Sequence, residues 1–324
     1  MAMKAIQVER VGGPDVLQVA NLPVPKPKPH EAVVKITACG INFIDAYQRE
    51  GRYNVPLPFI PGQEGAGEVT EVGSEVNEVK IGDRVAWTGI QGSYAEFVAP
   101  PSDRLVPIPA GVSDQQAAAA MLQGMTAHYL THDTFPLQRG ETALIHAAAG
   151  GVGLLLVQMA HHIGARVIGT VSTEEKAKVA LGSGADEVIL YSQVDFETET
   201  KRLTAGNGVH VVYDGVGKAT FEKGLNVLHS RGYMVLFGGA SGPVGPLDPF
   251  VLSTKGSLFL TRPMLVHYIA TKEELKARAE AVFGMIAEGK LKLRIEHTYK
   301  LEEAAKAHRE LEARKTTGKL LLIP

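Results

Sequence analysis

The sequence predicts an α/β chain in which a doubly wound sheet of six parallel strands is joined to a partly open β-barrel. Three observations lead there. From Glu141 onward short apolar runs alternate with helical stretches, as strands and crossover helices do around a parallel sheet. Before about residue 122 the runs are β-rich and broken by proline and glycine, the punctuation of antiparallel strands. A glycine turn at 148–153 then marks the carboxyl end of the first parallel strand.

That turn organises the second half. Thr142 to His146 is a short apolar strand, suited to burial on both faces. Ala148-Ala149-Gly150-Gly151-Val152-Gly153 follows in the G-x-G-x-x-G register, with alanine in the first glycine's place. Gly150 lets backbone approach a pyrophosphate, and Gly153 lets the helix pack close on the strand. The helix N-terminus adds amide donors and a partial positive charge. Leu154 to Ile163 is apolar nearly all round, includes His161 and His162, and stops at Gly164; Arg166 to Val171 is the next strand. Strand, turn, helix and strand at these distances predict a dinucleotide site, where the glycines alone would be a weak signal.

The choice of dinucleotide turns on one position. An NAD-selective turn carries a carboxylate about 20 residues past the last glycine, to accept from the ribose 2′-hydroxyl. Here that place holds Ser172, with Thr170 and Thr173 beside it, Lys176 one helical turn later, and Tyr191 at the end of the next strand. A neutral strand end near an ammonium suits a 2′-phosphate, so NADPH is expected. Lys176 has a second reading as a solvated helix lysine among Glu174, Glu175 and Lys178.

Composition bounds the rest. The 324 residues allow two domains, and 33 basic against 35 acidic side chains leave a formal charge of −2, which argues against nucleic acid as main partner. No apolar run reaches the length of a membrane span, and the opening lacks a secretory apolar core, so a cytoplasmic protein is expected. The one cysteine, Cys39, excludes an internal disulfide and a cysteine-rich zinc site, and its apolar strand predicts an inert thiol.

In chain order, strands are expected at Met3 to Val8, Leu17 to Ala20, Ala32 to Ala38, Gly65 to Val72, Arg84 to Trp87, Ser93 to Ala99 and Leu105 to Pro107, with a short helix from Asn42 to Glu50. Pro23, Pro25, Pro27 and Pro29 make an extended connector. Ser113 and Asp114 cap a helix to Leu122, and Thr126 to Thr131 is a second helical stretch. The later parallel strands fall at Glu187 to Tyr191, Val209 to Asp214, Tyr233 to Phe237 and Ser257 to Leu260, with a helix reaching His229. After Pro263, Thr271 and Glu274 form a capping box opening a helix that ends at Gly289. A helix from Leu301 to Ala313 and a strand from Lys319 to Ile323 complete a segment too short for its own core, expected to rejoin the barrel sheet. The domains are therefore set at 1–124 with 264–324, and 125–263.

VGGPDVL at 11–17, GINFIDAY at 40–47, PGQEGAGEV at 61–69, IGDRV at 81–85, HAAAGGVG at 146–153, VYDGVG at 212–217, FGGASGPV at 237–244, LTRP at 260–263 and the terminal TTGKLLLIP appear in order. Together they resemble the medium-chain dehydrogenase/reductase superfamily, and within it the zinc-free quinone oxidoreductases related to zeta-crystallin. The resemblance implies a GroES-like barrel domain and a Rossmann domain that binds NADPH. Zinc alcohol dehydrogenases place a catalytic cysteine in a GICGTD-like segment and a histidine in a GHE segment; the corresponding positions here are Asn42 and Gln63, and neither carboxamide is a good zinc ligand. Without a Lewis acid, an acceptor that is already electrophilic is implied: a quinone, or a conjugated carbonyl.

By the same resemblance Asn42, Asp45, Tyr47, Tyr53, Met125 and Thr126 line the nicotinamide cleft. Gly150, Gly151, Val152 and Gly153 hold the pyrophosphate, and Thr170, Ser172, Lys176 and Tyr191 the ribose phosphate. Val216, Phe237, Gly238, Thr261 and Arg262 form the far wall of the groove, and Arg314 reaches cofactor phosphate. Tyr53 has two readings. In related enoyl-thioester reductases a tyrosine in a similar setting protonates the substrate, whereas for a quinone Tyr53 serves as a wall while water supplies the proton. The leading expectation is NADPH-dependent quinone reduction, with conjugated C=C reduction as the alternative and a non-enzymatic role, as lens protein or RNA binder, third. The pairs His128 with His132 and His161 with His162 lack a third ligand and are expected to be satisfied helix-face residues. The strand at Ser257 to Leu260 should lie at a sheet edge and pair with its copy in a two-fold homodimer.

Overall fold

The structure is a computed structural model and describes residues 2–324. It divides into two compact units, one holding the described residues up to Met125 with Ile269–Pro324, the other Thr126–Tyr268.

The first unit opens with an antiparallel hairpin, β1 (Ala2–Gln7) and β2 (Gln18–Pro23). Then come β3 (Ala32–Ile41), α1 (Phe43–Arg49), β4 (Glu64–Val72), β5 (Arg84–Thr88), β6 (Phe97–Val98) and β7 (Val106–Pro107). β3 is the long central strand, with β4 and β6 antiparallel to it. Ile6, Ile41, Trp87 and Tyr94 are wholly buried in this core. Trp87 packs against Gly65, where a Cβ would come within 2.5 Å of the indole, and its Nε1 donates to Ser93 Oγ at 2.9 Å.

Next, α2 (Asp114–Tyr129) is a single helix where the sequence predicted two stretches. Gly124 does not interrupt it. A Cβ there would lie 2.8 Å from Val282, so the glycine is a packing residue within the helix.

The second unit contains β8 (Thr142–His146), α3 (Gly151–Ile163), β9 (Arg166–Val171), α4 (Glu174–Gly182), β10 (Glu187–Leu190), α5 (Phe196–Leu203), β11 (Val209–Asp214), α6 (Phe221–Asn226), β12 (Leu228–Leu236), α7 (Phe250–Thr254) and β13 (Phe259–Thr261). All its strand pairs are parallel, in the order β10-β9-β8-β11-β12-β13. The strand order reverses between β8 and β11, where α/β sheets of this kind open a crevice. Two boundaries differ from expectation. α6 ends at Asn226 instead of reaching His229, because Leu228 already pairs with Val209 before the ladder resumes at Tyr233 after an irregularity. β13 begins at Phe259, since Gly256 and Ser257 both take positive φ, 113° and 55°, and turn the chain first.

The return segment comprises α8 (Lys272–Ala287), β14 (Ile295–Lys300), α9 (Ala304–Glu312) and β15 (Lys319–Ile323). The Thr271 and Glu274 capping box is present, with Glu274 N–H donating to Thr271 Oγ1 at 3.2 Å and Thr271 N–H to Glu274 Oε2 at 3.1 Å. β15 adds antiparallel to β3, as expected. β14, which the sequence reading omitted, lies parallel beside it.

Candidate functional site

The carboxyl ends of the parallel strands carry the predicted dinucleotide residues. β8 ends at His146, and Ala147 takes a left-handed φ of 52°. Gly150 then caps α3, its N–H donating to Ala147 O at 2.8 Å. A Cβ on Gly153 would lie 2.2 Å from that same carbonyl, and one on Gly150 at 3.1 Å. The helix is thus pressed on the turn as only glycine permits, and its first N–H groups have no intrahelical acceptor. A diphosphate fits this cradle of backbone donors.

At the next strand end Ser172 is half-buried, and its carbonyl accepts from Ser192 Oγ at 2.8 Å. Thr173 caps α4 by accepting from Lys176 N–H at 3.3 Å, and Tyr191 N–H donates to Val171 O at 3.1 Å. Ser172, Lys176 and Tyr191 therefore belong to neighbouring ends of β9, α4 and β10. Thr170 stands deeper, in β9 itself. It is buried, and its hydroxyl lies 2.9 Å from His146 Nδ1 on the adjacent strand. His146 Nε2 has no partner among the described residues; burial pulls this imidazole down in pKa, against the opposing charge of Asp214.

Asp214, also missed by the sequence reading, shapes the turn beyond β11. It accepts from Val216 N–H at 2.7 Å, Gly217 N–H at 3.0 Å and the Thr220 hydroxyl at 2.8 Å. A Cβ on Gly238 would meet Gly215 O at 2.4 Å, so the ends of β11 and β12 touch, with Val216, Phe237 and Gly238 half-buried there. Thr261 closes β13, with exposed Arg262 next to it. Thr126 is buried near the end of α2.

In the barrel unit, Asn42 ends β3 and opens α1. Its Nδ2 donates to Glu64 Oε1 at 2.7 Å, while its Oδ1 accepts from Lys319 Nζ at 2.9 Å and Gln123 Nε2 at 3.1 Å. Glu64 is ion-paired with Lys319 and accepts from Leu122 N–H at 2.6 Å. A Cβ on Gly40 would overlap the Glu64 carboxylate, so glycine lets this buried pair lie against β3. Gln63 donates to Gln91 Oε1 at 2.6 Å and Gln48 Oε1 at 3.3 Å. Both carboxamides at the would-be zinc positions are thus held in protein hydrogen bonds. Among the described residues no three His, Cys, Asp or Glu side chains converge as metal ligands. The lysine in the otherwise apolar KLLLI was a visible hint of the Glu64 pair; Gln123 gave none.

Asp45 lies in the first turn of α1. It is wholly buried and faces inward, its Oδ2 accepting from Asn42 N–H at 2.8 Å and from the Tyr94 hydroxyl at 3.0 Å. Tyr47 and Tyr53 meet, rings 5.9 Å apart edge to face, with the Arg52 guanidinium 5.2 Å from the Tyr47 centroid. Tyr53 is 37% exposed. Met125 is buried, and Arg314 is exposed with a φ of 56° between α9 and β15. Cys39 is buried, with its Sγ 3.7 Å from Leu322 O, and burial pushes the thiol far up in pKa, as an inert thiol requires. His128 and His132 stack at 4.1 Å, and His132 Nδ1 lies 2.9 Å from His128 O. His161 and His162, placed by the sequence reading in a buried helix, are exposed at its last turn.

Residues 151–281 match the family described as zinc-binding dehydrogenase, and residues 28–110 match the alcohol dehydrogenase GroES-like domain. The chain is 48% identical over 323 residues to a quinone oxidoreductase of Pseudomonas aeruginosa, covering 99% of each. The chain belongs to the quinone oxidoreductase family of the medium-chain dehydrogenase/reductase superfamily. Within that family, the crystal structure of Escherichia coli quinone oxidoreductase complexed with NADPH superimposes at a TM-score of 0.97, with 43% identity, over 99% of this chain and 100% of that one. A 2-haloacrylate reductase of a Burkholderia species is 39% identical over 336 residues, covering 100% of this chain and 99% of its own. The family's GroES-like barrel and six-stranded Rossmann sheet are the two architectures described above.

Proposed function

We propose that the protein is an NADPH-dependent quinone reductase. The observation behind this is the rim of the dinucleotide cradle: Ser172 and Tyr191 follow the adjacent strands β9 and β10 and Lys176 lies in the first turn of α4, with no carboxylate in the place that would hold a free 2′-hydroxyl. The relatives named quinone oxidoreductase, and the E. coli one bound to NADPH, support the reading.

The Thr126–Tyr268 unit holds the cofactor, with backbone N–H groups of Gly151, Val152 and Gly153 donating to the diphosphate. Ser172, Lys176 and Tyr191 receive the 2′-phosphate, and Val216, Phe237, Gly238, Thr261 and Arg262 form the groove wall. When bound, NADPH supplies the reducing equivalents. In the barrel unit Asn42, Tyr47 and Tyr53 bound the acceptor. A quinone needs no Lewis acid because its reduction restores aromaticity, which fits Asn42 and Gln63, whose amides are committed to protein partners.

One observation favours a second reading, reduction of a conjugated C=C bond. Tyr53 is a partly exposed phenol, a side chain able to donate a proton, and a 2-haloacrylate reductase is among the relatives.

We further propose a two-fold homodimer paired through β13 at the sheet edge, and a cytoplasmic location. Among the described residues no helix is long and apolar enough to cross a membrane.

The deciding experiment titrates purified protein with NADPH and NADH, then measures turnover of 1,4-benzoquinone and a conjugated enal. Tighter NADPH binding with quinone turnover is expected. Preference for NADH would refute the 2′-phosphate assignment, and turnover of the enal alone would replace the quinone reading with the second one.

A further inference from the structure

Among the residues that helix α9 buries is His308, whose ring nitrogens meet two other buried polar groups. His308 Nδ1 lies 3.1 Å from Arg49 Nη1, and Nε2 lies 3.0 Å from the Tyr94 hydroxyl. Tyr94 in turn is 3.0 Å from Asp45 Oδ2. Arg49, His308, Tyr94 and Asp45 are each 0% exposed, so solvent completes none of these bonds.

The donor roles are forced. A guanidinium only donates, so His308 Nδ1 accepts. The neutral ring then carries its proton on Nε2 and donates to the Tyr94 oxygen, which leaves the tyrosine hydrogen for Asp45. The chain therefore runs one way, from Arg49 to the carboxylate of Asp45. At its start Arg49 is anchored by Glu312 at 2.6 Å, Glu50 at 3.1 Å and Gly12 O at 3.0 Å. At its end Asp45 holds Asn42 N–H, the first donor of α1.

We propose that Arg49, His308 and Tyr94 are positioning residues that fix Asp45, and through it the first turn of α1, so that Asn42 and Tyr47 stand correctly toward the acceptor. This rests on the quinone-reductase reading. A buried polar chain gives little net stability over apolar packing, but each member left without its partner is costly, so it specifies one arrangement. The arrangement specified here joins segments 49 and 214 residues apart, from Asp45 to Tyr94 and from Tyr94 to His308. The other charged or titratable groups facing Asp45 are Cys39 on β3, Glu64 on β4 and Lys319 on β15. Burial dominates and pushes the Asp45 carboxyl up to about 7, while the bonds from Asn42 and Tyr94 pull it down. Burial, then the Arg49 charge, hold His308 down to about 3, neutral as the chain requires.

The test uses the full chain with Tyr94→Phe, His308→Gln, His308→Leu and the double variant Tyr94→Phe/His308→Leu. Three readouts are taken: the pH midpoint of the Asp45 carboxyl by carbon-13 NMR, the Kd for NADPH, and kcat and KM for benzoquinone. Tyr94→Phe should raise the Asp45 midpoint and lower kcat about tenfold, the worth of one buried hydrogen bond, without moving the NADPH Kd. The double variant should lose no more than its worse single member. Glutamine at 308 can accept from Arg49 and donate to Tyr94, so His308→Gln should keep most turnover even if His308→Leu folds poorly. An unmoved Asp45 midpoint, an unchanged kcat, or losses that multiply in the double variant would each overturn the proposal. If the unmodified protein reduces only the enal, the quinone reading fails, and the same comparisons run on the enal decide the chain.

Discussion

Tyr53 is the residue on which the chemistry divides. Its ring packs edge to face on Tyr47, while the residue as a whole stays 37% exposed. A quinone oxygen takes its proton from water, whereas a carbanion formed from a conjugated alkene needs a placed donor. Tyr53→Phe keeps the ring contact and removes only the donor. We expect it to retain quinone turnover within about twofold and to lose most of any enal turnover, about 10²-fold, as general acids are worth. Loss of both activities in a folded variant would make Tyr53 a proton donor for the quinone too. At this scale the sequence was legible where the backbone itself sets the requirement. Gly153 must be glycine because of the Ala147 carbonyl, and both residues lie in one short turn. The inward partners of Asp45 and Thr170 were not legible, because Tyr94 and His146 are 49 and 24 positions away.

Helix α1 shows how an element inherits pH dependence from its surroundings. The folded chain holds the Asp45 carboxyl at about 7, against about 3.9 unfolded, so between those values the folded state keeps a proton that the unfolded state has lost. Stability from this group therefore falls as pH rises through the window. His308 acts in reverse. Held at about 3 when folded and about 6.5 when unfolded, it stays neutral where the unfolded ring binds a proton, so its contribution falls as pH drops. Across pH 4.5 to 6.5 the two slopes oppose. Urea midpoints should vary little there in the unmodified protein, rise with pH in Asp45→Asn and fall with pH in His308→Gln. Identical profiles in all three would show that the pair does not govern the acid limb. Elements with their own caps and periods, such as α8 and the parallel strands, were legible because local signals and tertiary environment agree. β14 was missed since IEHTYK is polar and forms only because β15 offers it an edge. The full length of α2 was missed since Gly124 serves α8, not a local turn.

On the scale of the whole molecule, the order barrel, parallel sheet, return segment was legible because composition and periodicity change at both junctions. What the chain does with its sheet edges follows from their chemistry. β14 ends the barrel sheet with Glu296, His297 and Lys300, charges and polarity that discourage pairing. β10 carries Glu187, ion-paired with Arg166. β13 has neither protection. It pairs on one side only, with β12, and carries Phe259 at 50% and Leu260 at 36% exposure. Phe259 stacks on Tyr233 at 4.5 Å, and Phe135 lies 4.9 Å from Tyr233, so the edge is backed by a fixed aromatic surface. Met264 and Val266 just beyond it are exposed as well. Two copies related by a two-fold axis would pair their β13 strands antiparallel, each satisfying the other's open ladder and covering the same apolar patch. Light scattering at micromolar concentration should therefore find a dimer for the unmodified protein. Leu260→Lys, which puts a charge on the edge without touching the glycine cradle, should shift it to monomer with unchanged circular dichroism and NADPH affinity. A monomeric unmodified protein would remove β13 as an interface, and a Leu260→Lys variant that stays dimeric would place the contact on another face.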